Sequence, residues 1–140
     1  MKKRLAILAA ILTAAVVTAA PRAETVSVAT GAFTYGTNTL SIGSGYLEDL
    51  YITSSNSASV AKVYVAVLRP GTGTADTIAT NTVTGELLVR PVVDSTDGLG
   101  AALTNDPPRR MYLYGETVRL IVLASPANER WTARFKLVDE

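Results

Sequence analysis

Few residues in this sequence are suited to nucleophilic chemistry. A Ser-x-x-Lys spacing occurs at Ser59 and Lys62, and a lysine amine can act as the base that activates a serine hydroxyl. That spacing brings two side chains together on a helix but not in a strand, and here it lies where a polar turn meets an alternating segment. The sequence contains no His and no Cys, so it offers no histidine base, cysteine nucleophile or disulfide. We therefore expect no catalytic residue and no enzymatic activity.

Two acidic groups could in principle transfer protons or bind a metal. Glu48 and Asp49 are adjacent, and neighbouring residues of a strand point to opposite faces of the sheet, so we expect two separate surface groups. In Asp94–Gly98 the acids stand three residues apart and a glycine follows the second, which is not the alternating spacing of an EF-hand loop. We favour an Asp/Gly turn, with an irregular calcium site as the alternative, and expect no metal and no cofactor.

Residues suited to protein contacts are more numerous. Arg109 and Arg110 follow two prolines, and their guanidinium groups could hold a carboxylate or phosphate of a partner. Residues 60–68 and 117–124 carry apolar side chains on both faces, which fits either a central strand or a contact with another subunit. The candidate subunit-interface residues are Tyr46, Tyr51, Tyr64, Tyr112, Tyr114, Arg109 and Arg110.

The charge distribution excludes nucleic acid as an expected partner. Residues 24–140 contain nine basic and 12 acidic residues, net −3, and the positive charge of the whole chain comes from residues 1–23. A folded part without a basic surplus does not attract a phosphate backbone. The glycines also form no phosphate-binding motif.

Residues 1–23 differ in composition from the rest. Residues 2–4 are all basic, and the 16 residues from Leu5 to Ala20 are uncharged, with two threonines among apolar side chains. This pattern is typical of a secretory signal peptide, with a weak cleavage site after Ala19. A retained anchor is the first alternative, although a membrane span needs about 20 apolar residues, and an apolar helix buried in an assembly is the second. The apolar character of residues 5–20 also allows contact with a membrane.

Alternation with a period of two dominates residues 24–140. The clearest case lies near the C-terminus, where the odd-numbered residues from Trp131 to Leu137 are apolar and the even-numbered residues from Arg130 to Lys136 are polar or cationic. Such a strand buries one face, and we expect its three cations to guard an exposed sheet edge.

The same alternation, interrupted by turn residues, predicts further strands. They lie near residues 25–29, 39–42, 46–53, 60–68, 78–83, 86–93, 109–114 and 117–124. No segment after residue 23 has a helical period. We predict an all-β fold: residues 24–140 form a single antiparallel β-sandwich or jelly-roll-like domain of about eight strands, preceded by an N-terminal apolar helix.

The order of these segments carries a resemblance to a known class. Leu50–Thr53, the small polar turn Ser54–Ser59 and Val60–Leu68 predict a hairpin. Nearer the C-terminus, Tyr112–Glu116 leads through a glycine–acid turn into Thr117–Val122, a strand that would bury its even-numbered positions. Residues 46–138 thereby resemble small β-sandwich proteins of bacteriophage virions, such as decoration, head–tail connection and fibre-base proteins.

The resemblance implies a function as well as a fold. It implies a non-enzymatic structural protein of a virion, which binds copies of itself or other virion proteins through sheet faces and edges and is a homo-oligomer. The alternative is an exported bacterial β-sandwich protein of the periplasm or cell surface that acts in adhesion or surface assembly. The two differ in whether residues 1–23 are retained or cleaved.

Overall fold

The computed structural model describes residues 21–69, 71, 74–93 and 109–139. Of the predicted signal peptide or anchor (residues 1–23), residues 1–20 lie outside the described residues, and so does the calcium-like loop Asp94–Gly98. Within these ranges there is no helix, and hence none long and apolar enough to cross a membrane. The strands are β1 Arg22–Ala29, β2 Gly36–Ser41, β3 Ser44–Ser54, β4 Val60–Leu68, β5 Ala75–Thr84, β6 Glu86–Val89, β7 Val92–Val93, β8 Arg109–Tyr114, β9 Thr117–Leu123 and β10 Arg130–Val138.

The strands form two antiparallel sheets, which confirms the predicted all-β class. The first sheet has the order β1-β10-β3-β8-β7, and β6 pairs with β3 beside β8. The second sheet has the order β2-β9-β4-β5. The predicted strand 86–93 is divided into β6 and β7 at Pro91, a residue that has no N–H to donate to a sheet.

One hydrophobic core lies between the sheets and follows the predicted alternation. Trp131 and Phe135 of β10 are fully buried, and so are Ala133 and Leu137 on the same face. From the second sheet, the even-numbered positions 118, 120 and 122 of β9 are also fully buried. Burying one such aliphatic or aromatic side chain contributes roughly 1.5–3 kcal/mol, so this shared face holds the two sheets together.

The predicted hairpin of β3 and β4 is wrong. β3 belongs to the first sheet and β4 to the second, so the turn between them crosses from sheet to sheet. The connections from β5 to β6 and from β8 to β9 cross in the same way. Alternation cannot separate the two cases, because a strand turns the same apolar face to the core whether the next strand pairs with it or packs opposite it.

Gly85 makes the crossing from β5 to β6 possible. Its φ is +68°, and a Cβ at this position would lie 2.3 Å from the carbonyl oxygen of Ser57. Its N–H donates to the carbonyl of Ser59 at 2.9 Å, and its carbonyl accepts the N–H of Ser54 at 2.6 Å. Only glycine combines this backbone conformation with so close an approach.

The prediction that β10 is an edge strand is also wrong. β10 lies between β1 and β3 and pairs with both along most of its length. Its cations therefore lie on the outer face of a central strand, where the Lys136 ammonium is 2.7 Å from the Glu48 carboxylate. A polar face in the sequence predicts only that this face of the strand is exposed to solvent. Whether the strand lies at an edge depends on its pairing with segments that are distant in the sequence.

A β-bulge in β3 changes the predicted orientation of Glu48 and Asp49. Asp49 faces Lys136 and Leu47 faces Leu137, so Glu48 is the extra residue. Leu47 and Leu50 are both fully buried, which places the two intervening carboxylates together on the outer side. The prediction that they point to opposite faces is therefore wrong. They remain separate surface groups: Glu48 pairs with Lys136, and Asp49 lies 3.2 Å from the guanidinium of Arg90.

Candidate subunit-contact surfaces

Three of the candidate interface tyrosines lie together on the outer face of the first sheet. Tyr46 of β3 faces Tyr112 of β8 in register, and their rings meet edge to face with centroids 4.8 Å apart. The ring of Tyr114 lies 4.6 Å from that of Tyr112. Each such contact contributes about 0.5–1.5 kcal/mol beyond area burial. We call Tyr46, Tyr112 and Tyr114 the tyrosine ladder; its outermost ring, Tyr114, is 72% exposed.

A buried carboxylate fixes the backbone at the end of the tyrosine ladder. Glu116 is 4% exposed and accepts a hydrogen bond from the N–H of Tyr114 at 2.6 Å. The guanidinium of Arg69 lies 3.5 Å from the same carboxylate, and the Glu116 carbonyl accepts the N–H of Ile42 at 2.9 Å. A buried charge with these partners is held in place, so the exposed ring of Tyr114 is carried on a fixed backbone.

The start of β1 lies at the same end of the sandwich as Tyr114. Ser44 is the register partner of Tyr114, and its carbonyl accepts a hydrogen bond from the Arg22 guanidinium at 2.7 Å. Arg22 also lies 3.0 Å from the carboxylate of Glu24 and 3.7 Å from that of Asp139. The beginning of β1 and the end of β10 are thereby tied together beside the tyrosine ladder.

The remaining candidate residues lie apart from the ladder. On the first sheet, the Tyr51 hydroxyl donates to Glu86, and this hydrogen bond to a carboxylate raises the pKa of Tyr51. Tyr64 lies on the second sheet, with the Lys62 ammonium 5.3 Å from its ring centroid. Arg110 is exposed and lines a groove beside Glu48. The side chain of Arg109 lies outside the described part of the structure.

Ser59 and Lys62 point to opposite sides of the second sheet. Ser59 is 3% exposed and shares the inward orientation of Ala61, whereas Lys62 is exposed on the outer face. The strand geometry therefore separates this serine from this lysine. Among the described residues, no group of three or more His, Cys, Asp or Glu is placed to hold a metal ion.

A second aromatic surface was missed by the sequence analysis. Phe33 and Tyr35, in the loop between β1 and β2, are 63% and 58% exposed, and their ring centroids are 5.6 Å apart. We call them the aromatic pair. They were missed because they lie outside any alternating segment. The sequence signal that could have identified this surface was the presence of two aromatic residues in a stretch of otherwise small and polar residues.

The aromatic pair and the tyrosine ladder lie at opposite ends of the sandwich. Gly36, next to the pair, faces Val122 near the end of β9, whereas Ser41 faces Thr117 at its start. Tyr114 precedes Thr117 by three residues. The seven residues of β9 separate the two surfaces, a length of roughly 20 Å at 3.3 Å per residue.

A groove of about 480 Å³ runs beside Tyr35 along the outer face of the second sheet. β2 and β9 form its floor and walls, which combine threonine hydroxyls, aliphatic side chains and one guanidinium. The lining residues include Tyr35, Thr37, Thr39, Arg119, Ile121 and Leu123.

Comparison with known proteins assigns this chain to no group. No family of known proteins matches it, and no curated protein matches it significantly.

Proposed function

We propose that this chain is a non-enzymatic structural subunit of a bacteriophage particle, which binds neighbouring protein subunits through its sheet faces and edges. The observation that carries the proposal is the tyrosine ladder: three rings in contact on paired strands, with the last ring 72% exposed. Tyrosine is enriched at the centres of protein interfaces. A ring already ordered by its neighbours also loses little side-chain entropy when a partner covers it.

The placement of the aromatic pair supports a repeating assembly. A copy that carries two different aromatic surfaces at opposite ends can contact one neighbour with each surface. Such head-to-tail contacts build rings or extended arrays. This arrangement supports a homo-oligomer within a larger particle.

The finer fold assignment is part of the same proposal. We infer a jelly-roll-like sandwich, a fold common in viral capsid proteins. The support is the repeated crossing between sheets, since β1, β3, β6, β7, β8 and β10 belong to one sheet and β2, β4, β5 and β9 to the other.

A second candidate function is that of an exported bacterial protein acting in adhesion or surface assembly. The observation that favours it is the sequence of residues 1–20, in which a basic start precedes 16 uncharged residues. In this case the leader is cleaved and the β-sandwich acts in the periplasm or at the cell surface.

A native mass spectrum of the protein from its own source tests both functions, because it reports chain mass and copy number together. A full-length chain of 14.7 kDa in a trimer, pentamer or larger unit is the expected result. A monomer about 2 kDa lighter, the loss expected for a removed signal peptide, would reject the virion proposal and favour the exported protein.

The variant Tyr114→Ala tests the role of the tyrosine ladder. Truncating a central aromatic anchor weakens an interface by about 2 kcal/mol or more, so we expect the dissociation constant of the assembly to rise about 30-fold. Sedimentation velocity at a series of concentrations measures the change.

Leu88→Ala is the matched control for Tyr114→Ala. Leu88 is also a large exposed side chain of the first sheet, at 51% exposure, and it lies on β6 away from the ladder. Equal weakening by both substitutions, or no weakening by Tyr114→Ala, would contradict a contact centred on the ladder.

A further inference from the structure

The outer face of the second sheet differs in charge from the outer face of the first sheet. We propose that this face docks onto an acidic surface of a different protein chain, with Arg119 as the central cation. The inference rests on the proposed function, in which the chain binds neighbouring subunits, and it specifies the chemistry of one partner.

The centre of this face is apolar, with polar groups around it. Ile121 of β9 lies between Thr37 and Tyr64 in register, and Arg119 lies between Thr39 and Ala66. Ile121 is half-buried, and its neighbour Leu123 is 38% exposed. An apolar centre with tyrosine and arginine beside it and hydroxyls around it is the usual composition of a protein interface.

All charges on this face are positive. The register places Lys62 and Arg119 on the outer side, and the outward-facing residues of β2, β4, β5 and β9, four strands described along their whole length, include no carboxylate. The outer face of the first sheet is different, since Lys136 pairs there with Glu48 and Arg90 with Asp49. The described strands of the second sheet therefore present cations without carboxylates among them, whereas the outer face of the first sheet carries both signs of charge.

Arg119 is the most informative of these cations. It is half-buried, lines the groove beside Tyr35, and has no salt bridge or hydrogen-bond partner for its guanidinium among the described residues. A partly desolvated charge without a partner is unfavourable. A carboxylate entering the groove would supply two parallel hydrogen bonds to the guanidinium, within reach of the hydroxyls of Thr37 and Thr39.

The same charges argue against a second copy as the occupant. Two copies placed face to face would bring the cations Arg119 and Lys62 of one copy against those of the other, and opposed like charges repel. A partner with acidic residues around an apolar side chain satisfies the cations and the apolar centre together.

Lysine acylation can test the docking because each sheet carries one lysine on its outer face. Lys62 and Lys136 are the only lysines after residue 23, and they lie on the outer faces of the second and first sheets. In the assembly from its own source, we expect Lys62 to be acylated several times more slowly than in the free chain. The acylation rate of Lys136 reports separately on the outer face of the first sheet, which carries the tyrosine ladder.

Carbodiimide coupling then identifies what lies against Lys62. The reagent joins an amine to a carboxylate in direct contact, so mass spectrometry of the cross-linked peptides should find Lys62 joined to an Asp or Glu of a different chain. In the purified, reassembled complex, Arg119→Gln should weaken binding about tenfold or more. Arg134→Gln, which removes an exposed arginine of the first sheet, should leave binding unchanged.

Several results would overturn this inference. Unchanged acylation of Lys62 in the assembly would show that the face is not covered. Coupling of Lys62 to a second copy of this chain would make the interface a self-contact. If Lys62 were protected from acylation but did not couple to a carboxylate, and if salt did not affect this protection, the docking would be apolar alone. If the chain assembles but Lys62 reacts as in the free chain, the docking inference is wrong and the proposed function is unaffected. If the chain is monomeric, both are wrong.

Discussion

The single tryptophan of the chain depends on one serine hydroxyl, and removing that hydroxyl should destabilise the domain. Trp131 is fully buried, and its indole N–H donates to the Oγ of Ser125 at 2.8 Å. Ser125 is itself 2% exposed, so water cannot replace it as acceptor. The substitution Ser125→Ala keeps the packing nearly unchanged and leaves the indole N–H without a partner.

The expected loss can be derived from the hydrogen bonds of Ser125. A buried donor left unsatisfied costs about 1–3 kcal/mol. The Ser125 hydroxyl also donates to the carbonyl of Pro126 at 3.0 Å, but that carbonyl retains a hydrogen bond from Thr30 at 3.0 Å, so its contribution to the loss is small. We expect about 2 kcal/mol in total, which in a domain of this size lowers the melting temperature by about 8 °C.

A double-mutant cycle with Trp131→Phe isolates the hydrogen bond. Phenylalanine has no N–H, so Ser125→Ala should cost at least about 1 kcal/mol less in that background. Urea unfolding followed by far-ultraviolet circular dichroism measures all four proteins, and the fluorescence of Trp131, the only tryptophan, provides a second probe where it is retained. Ser41→Ala, at an exposed position of β2, is the control and should stay within about 0.5 kcal/mol of the parent.

Two results would refute this reasoning. If Ser125→Ala changed the unfolding free energy by less than about 0.5 kcal/mol, or cost the same in both backgrounds, the hydroxyl would not be the acceptor that holds the indole. The larger truncation Trp131→Ala should cost about 3–5 kcal/mol. A loss below about 0.5 kcal/mol would place that side chain on the surface and contradict the register of β10.

Three further predictions concern the connections and the charges. Gly85→Ala should cost more than Gly31→Ala, since both glycines have positive φ but only at Gly85 would the new Cβ meet backbone atoms; urea unfolding measures the difference, and equal losses would contradict the steric argument. The hydrogen bond from the Ser55 hydroxyl, together with those from nearby side chains, lowers the pKa of Glu129 below its ordinary 4.5. The ionised Glu129 carboxylate therefore stabilises the folded domain fully above pH 4.5, and this stabilisation is lost as the pH falls further. Glu129→Gln should therefore flatten the acid side of the stability profile, and an unchanged profile would exclude this contribution. A chelator should leave the melting temperature unchanged, whereas a drop of several degrees would indicate an ion at Asp94–Gly98.

The sequence predicted the inner faces of the strands well because those faces depend on local alternation. The odd-numbered residues from Trp131 to Leu137 and the even-numbered residues from Val118 to Val122 are buried as predicted. Sheet membership could not be predicted in the same way. The turn after Ser54 joins two strands that pack opposite each other, as shown by the pairing of β3 with β10 on one edge and with β6 and β8 on the other.

The candidate surfaces were predictable in part. The tyrosines of the ladder stood among the candidates, but their proximity depends on the register of Tyr46 with Tyr112, which joins strands far apart in the chain. The orientation of Glu48 depends on a bulge opposite Lys136 and Leu137. No local sequence pattern predicts the tyrosine contact or the bulge, because both depend on the pairing register of strands that are far apart in the chain.

The position of β10 has a consequence for how the domain is made. β1 pairs with β10 along its whole length, and Ser27 bonds through its hydroxyl to Thr132, 105 residues away. During synthesis β1 and β3 are complete long before the strand that must lie between them emerges. Pairing of such distant segments is slow because a long loop must close first.

Until β10 is in place, the facing edges of β1 and β3 carry unpaired backbone groups that any compatible strand can occupy. Insertion of β10 between them therefore closes the domain, and its insertion into a second chain would instead give a strand-exchanged pair. We expect a high chain concentration during refolding to favour the exchanged pair.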